Sequence, residues 1–209
     1  MPITTILFDA DGVVQGPSAN RRAMWTEVLC GREDDVDQFV RALFDVERTC
    51  YHGHGDFVAA FPDVLRHWNC SGTVDDLLRA WTAIEVDREV VGLIATIRSS
   101  GLTCCLATNQ EAYRGRYMAQ TLDYGTVFDR QFYSCELGLS KPDPDYFAEI
   151  LERLSVSPEE VLFIDDVAAN VSAAKGVGIH AESFLLPPGI GATDEMRRIL
   201  RFYGLASLM

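Results

Sequence analysis

An apolar run that stops on two acids constrains this chain more than any other stretch. Ile3, Ile6, Leu7 and Phe8 read as a buried strand, and Asp9-Ala10-Asp11-Gly12-Val13 follows at once. Side chains two apart on a strand point the same way, so Asp9 and Asp11 stand side by side at its carboxyl end, where Gly12 lets the chain leave the sheet. In an open parallel sheet that edge is where ligands bind. No Lys, Arg or His appears within the first 20 residues to balance them. A divalent metal bound by hard oxygens is the natural remedy for two such close anions. The plainer alternative is an Asp-Gly turn with solvated acids.

Residues 16 to 85 predict helices throughout. Ser18 is placed to cap one that carries Met24, Trp25, Val28 and Leu29 and stops at Gly31. Val36, Phe39, Val40, Leu43 and Phe44 give a second, over about 34 to 48. Asp56 opens a third that Pro62 interrupts or restarts, and Thr73, with acids at 75 and 76, opens a fourth holding Leu77, Leu78, Trp81 and Ile84. Trp25, Trp68 and Trp81 lie on helical stripes and read as core. Between these helices His52-Gly53-His54-Gly55 reads as a loop.

From residue 86 onward the pattern alternates helices with short apolar strands, the mark of a parallel sheet with crossover helices. Strands are expected at 102–107, 131–134, 161–164 and 179–181. The intervening helices include one begun by Asp143 and Pro144, and Met196, Ile199, Leu200 and Tyr203 share a face of a closing helix after a break at Pro187-Pro188-Gly189. The expected fold is α/β, a doubly wound parallel sheet built from residues 1–15 and 86–209, with 16–85 inserted as an all-helical unit.

Composition narrows the function. A chain of 209 residues, 48% hydrophobic, buries a substantial core, and a net charge of -13 argues against a nucleic-acid backbone or an anionic membrane surface as partner. The six cysteines include no C-x-x-C pair, which speaks against a zinc knuckle or a thioredoxin-like site and for reduced thiols. With no membrane-length apolar run and no leader-like amino terminus, a soluble, cytoplasmic protein is expected, as a monomer or homodimer.

Polar residues recur where strands stop: Asp9 and Asp11 after the first, Thr108-Asn109 after the second, Asp165-Asp166 after the run 161–164, with Lys141 ahead of a helix start. Parallel strands bring these ends to one edge. Acids there suit Mg²⁺, Thr108 and backbone N–H groups suit phosphate oxygens, and Lys141 balances charge, which is equipment for phosphoryl transfer. Asn170 reads as a side chain tying down the loop after Asp166.

Asp9-Ala10-Asp11-Gly12-Val13, Ala107-Thr108-Asn109, Lys141-Pro142-Asp143 and Phe163-Ile164-Asp165-Asp166 with Asn170 together resemble the haloacid dehalogenase superfamily of hydrolases, from the first strand to about Ala181. The resemblance implies a Rossmann-like core and a helical cap at residues 16–85. It implies that Asp9 is the nucleophile, that Asp11 is the acid and then the base, and that Lys141 neutralises charge. Thr108 and the Asn109 amide would hold phosphate. Mg²⁺ would be held by Asp9, the backbone carbonyl of Asp11, Asp166, and Asp165 directly or through water.

The activity implied is phosphomonoester hydrolysis of a small phosphorylated metabolite. Asp11 favours it over halide removal, which needs no acid for an alcohol leaving group. A sugar phosphomutase and a non-catalytic phospho-metabolite-binding protein stay open as alternatives. In the cap, His52 and His54 are candidates for substrate contact, metal binding or plain loop, and Arg21, Arg22 and Arg48 for substrate contact or solvated faces.

Overall fold

The computed structural model describes residues 2–186, 189 and 191–205; the expected break at Pro187-Pro188 lies outside them. Its centre is β1 (Thr5–Phe8), with β4 (Thr103–Thr108) hydrogen-bonded on one side and β6 (Val161–Asp165) on the other. Outside these lie β5 (Arg130–Tyr133) and β7 (His180–Ser183), giving the order β5-β4-β1-β6-β7, parallel throughout. All four residues of β1 are buried. Both faces of the sheet are covered, so alternate side chains enter different cores rather than core and solvent.

Ile6 and Phe8 pack with Ile94 and Ile97 of α5 (Arg88–Ser99) and with Met196 and Ile199 of α11 (Ala192–Phe202). Leu7, between Cys105 and Phe163 in register, packs with Phe147 and Ile150 of α9 (Pro144–Leu154) and Ala174 of α10 (Ala168–Gly176). Truncating such a buried leucine to alanine costs about 2–5 kcal/mol. From β1 the chain winds outward to β4 and β5, then returns to β6 on the opposite side. β1 therefore lies at the switch in strand order, where a crevice opens at the carboxyl ends.

Between β1 and α5 stand α1 (Arg21–Val28), α2 (Val36–Thr49), α3 (Phe61–His67) and α4 (Val74–Trp81). They share a core of their own, with Trp25, Phe39, Leu43, Phe61 and Trp81 at its heart. Thr73 starts α4 with a reciprocal capping box to Asp76. Two local expectations are corrected. Ser18 does not cap α1; its hydroxyl bonds the Asn20 side chain instead. Ile84 is not helical: α4 stops at Trp81, and Ile84 lies in β3 (Ile84–Val86), antiparallel to β2 (Gln15–Pro17). The helical segment is thus joined to the sheet by a two-stranded neck, because the chain must leave and re-enter at adjacent points.

Helices α6 (Ala112–Gln120), α7 (Tyr124–Val127) and α8 (Ser134–Leu137) complete the chain. The last two are single turns, too short to show a helical period in the sequence.

Candidate active site

Asp9 extends β1 by one residue, its N–H donating to the Ile164 carbonyl at 2.9 Å, and its carboxylate sits at the carboxyl edge of the sheet. Lys141 reaches it from the loop before α9. The Lys141 Nζ lies 2.9 Å from Asp9 Oδ1 and 2.7 Å from Asp165 Oδ2, and donates to the Ala107 carbonyl at 2.9 Å. Burial opposes the ammonium, yet its two anionic partners raise its pKa and hold the charge. Asn109 fixes the base of this lysine: its amide donates to the Lys141 carbonyl at 2.8 Å and its Oδ1 accepts the Lys141 N–H at 2.9 Å. The Asn109 side chain is therefore occupied in placing Lys141.

Burial raises the Asp9 carboxyl to about 7 despite the opposing pull of Lys141, with Asp165 and Asp11 adding like charge. Its Oδ1 also accepts the Ala10 N–H at 2.7 Å, whereas Oδ2 takes no hydrogen bond from the described residues.

The two acids at the end of β6 differ. Asp165 is wholly buried, and its oxygens accept from Lys141, the Val167 N–H and the Asn170 amide. Asp166 is exposed and lines the crevice. A Cβ placed on Gly12, where φ is +82°, would stand 2.4 Å from Asp166 Oδ2. Glycine is needed there both for the turn and for the approach of that carboxylate. One oxygen each from Asp9, Asp165 and Asp166 lie within 4.8 Å of one another. Clustered hard oxygens, one of them on an acid free to turn, fit a divalent cation such as Mg²⁺.

Asp11 sits beside this cluster in the grip of residues that sequence reasoning missed. Arg114, on α6, spans both its oxygens, while Gln110 donates to Oδ2 at 2.8 Å and Gln15 to Oδ1 at 3.0 Å. Burial would raise this carboxyl, but the charge and hydrogen bonds of Arg114 outweigh it and hold the pKa well below the usual range. Thr108 is buried at the end of β4, its hydroxyl receiving a 3.3 Å hydrogen bond from Gln110, and it lines the crevice. Glu111, not Thr108 or Asn109, caps α6, and it also accepts from Trp81 Nε1 at 3.3 Å, tying the helical segment to the core.

The crevice continues under α1 and α2 as a cavity of about 690 Å³, with Arg21, Arg22, Trp25, Phe44, Glu47 and Tyr51 among its walls. Glu47 is buried, accepts from the Tyr51 hydroxyl at 3.1 Å, and is pushed up by burial to about 8. Its signal was in the sequence: it falls four residues after Leu43 and eight after Phe39, an acid on an apolar stripe. Arg114 likewise lies four before the buried Met118.

His52 and His54 lie in the loop expected there. His52 and His54 are not among the cavity walls. His52 Nε2 instead lies 3.0 Å from Ser140 Oγ, next to Lys141. At Gly53, φ is +73° and a Cβ would stand 2.4 Å from the Cys135 carbonyl, so the loop docks closely on the 135–140 segment. Arg48 is exposed and paired with Asp45.

Over 105 residues the chain is 29% identical to bifunctional epoxide hydrolase 2 of Rattus norvegicus, a match covering 48% of this chain and 19% of that protein. Over 84 residues it is 32% identical to a phosphorylated carbohydrates phosphatase of Thermotoga maritima, covering 40% of this chain and 39% of the relative. The matches thus span less than half the length of these relatives. A HAD family enzyme of Bacteroides thetaiotaomicron, solved as a magnesium complex, shares the fold with a TM-score of 0.73 at 20% identity, covering 94% of this chain and 100% of that one. Residues 3–178 match the haloacid dehalogenase-like hydrolases as a family, and the chain belongs to that family.

Proposed function

We propose that this hydrolase cleaves phosphate monoesters of a small metabolite with Mg²⁺ as cofactor, under a helical cap formed by residues 16–85. The observation that carries the reading is the cluster at the sheet edge: Asp9, a buried ammonium 2.9 Å from it, and the exposed Asp166 beside Gly12. Phosphatase relatives and the magnesium complex of a neighbour support it.

Asp9 attacks phosphorus, the bond from phosphorus to the ester oxygen breaks, and the phosphoryl group passes to the Asp9 carboxylate. Lys141 offsets the negative charge gathered around Asp9, and Thr108 with the adjacent backbone N–H groups receives phosphate oxygens. Asp11 serves the leaving oxygen and then the water. Its grip by Arg114 favours the carboxylate, the form that takes a proton from water in the second half. Delivery of a proton in the first half requires that grip to loosen.

Asp9, Asp166 and the Asp11 carbonyl would hold Mg²⁺ directly, with Asp165, its oxygens already bonded, acting through water. The metal would supply charge stabilisation for the phosphoryl oxygens. The helices of the cap exclude water and face the leaving group.

A panel of phosphorylated metabolites, assayed for both inorganic phosphate and isomerised product, tests the reading. Phosphate release from a subset is expected. Isomerised ester without phosphate would favour a mutase, and binding with neither product would favour a non-catalytic protein.

A further inference from the structure

Five cationic side chains reach the wall of the cavity: Arg21, Arg22, Arg41, Arg114 and Lys141. Three are spent. Arg22 pairs with Asp37 at 2.6 Å, Arg114 with Asp11, and Lys141 with Asp9 and Asp165. Arg41 is exposed and keeps its charge in water. Arg21 is half-buried and has no ion-pair partner among the described residues. Its guanidinium carbon lies 5.8 Å from the Trp25 ring centroid and 5.5 Å from that of Trp81, and its Nε is buried without a hydrogen-bond partner among the described residues.

Burial, aided by the like charge of Arg114, lowers the Arg21 pKa to about 10, which still leaves it charged at neutral pH. Asp11 and Glu47 favour its charge by less than burial opposes it, and neither carboxyl is hydrogen-bonded to it. A buried donor with no acceptor calls for a partner that binds. A guanidinium beside aromatic rings keeps its edge for a planar acceptor, and the flanking Trp25, Val36, Val40 and Phe44 offer that acceptor's carrier an apolar bed. One guanidinium without a bonded partner suits a monoanion; a second phosphate would bring two charges.

We propose that Arg21 receives a carboxylate on the leaving group, so that the preferred substrate is the phosphate ester of a hydroxy acid with an apolar body. This rests on the phosphatase reading and names its substrate class. Arg21 acts on selection of the ester and not on the reacting atoms.

The test compares 4-(phosphonooxy)phenylacetate with its neutral amide, with phenyl phosphate and with hydroquinone bisphosphate, by phosphate release. For the parent protein kcat/KM on the acid is expected to exceed that on the amide by about tenfold or more, mainly through KM. In Arg21→Met the ratio of acid to amide falls to near one, and Arg21→Lys retains part of it. Equal use of acid and amide by the parent, an undiminished ratio in Arg21→Met, or preference for the bisphosphate would each overturn the assignment. If no ester, phenyl phosphate included, releases phosphate, the phosphatase reading fails. Tryptophan fluorescence then judges Arg21 alone: saturable binding of 4-hydroxyphenylacetate that Arg21→Met abolishes upholds the carboxylate site, and equal response to its amide, or none, overturns it.

Discussion

Arg114 holds Asp11 with both ends of its guanidinium, Nη1 at 2.5 Å from Oδ2 and Nη2 at 2.7 Å from Oδ1, across 103 positions of chain. The arginine side chain is 5% exposed and the aspartate 43%, so solvent already shares the carboxylate. Breaking a fully buried pair from one side costs about 3–5 kcal/mol, and this one should cost less, about 2 kcal/mol in urea unfolding of Arg114→Met. Because Asp11 also loses its aim, kcat should fall about tenfold or more while KM changes little. A variant with the parent's stability and kcat would show that the pair is dispensable.

Asp9→Asn keeps the size of the side chain while removing the nucleophilic oxygen. Lys141 retains Asp165 at 2.7 Å, so the variant should fold, with an unchanged circular dichroism spectrum. Turnover should drop by more than about a thousandfold. Substantial activity in a pure sample would remove Asp9 from the role proposed.

Chelation should silence the enzyme and Mg²⁺ restore it. A second readout does not need turnover: Mg²⁺ at 100 times its Kd should stabilise the fold by about 2.7 kcal/mol, seen as a higher Tm. Asp166→Asn should weaken that shift more than Asp165→Asn alters it through metal binding alone, since Asp165 already has hydrogen-bond partners in the protein. Activity and Tm both indifferent to EDTA would count against the metal site.

Glu47 makes a prediction about pH. Its carboxyl is raised from 4.5 to about 8 by burial, so between these values the folded protein holds a proton that the unfolded chain has released. Stability contributed by the neutral form is complete at acid pH and is lost as pH rises, by up to about 1.4 kcal/mol per unit across that window. Glu47→Gln cannot ionise. Its Tm relative to the parent should therefore improve from pH 5 to pH 8 and level off above. A constant difference across this range would mean that Glu47 is already ionised in the fold.

Legibility in the sequence followed locality. Asp9, Thr108 and Asp165 each end an apolar run, so their strands announced them and the parallel order placed them on one edge. The neck strands β2 and β3, three residues each, escaped because they carry no period of their own and exist only by pairing with each other. Gln110 escaped because nothing nearby marks it, and Arg114, though four residues before the buried Met118, could not be matched to its partner Asp11 about a hundred residues away. His52 was legible as part of a loop, but its docking beside Ser140 was not.

The sequence by itself determined the parallel core, the helical character of the insertion and the acids at the strand ends, because hydrophobic period and strand termini are local properties. Only the tertiary structure decided which acid is saturated and which stays open, which arginines are paired, and that Arg21 lies beside indole rings with no hydrogen-bond acceptor among the described residues. Charge is balanced among groups distant in the chain, and that balance exists only once the chain has brought them together.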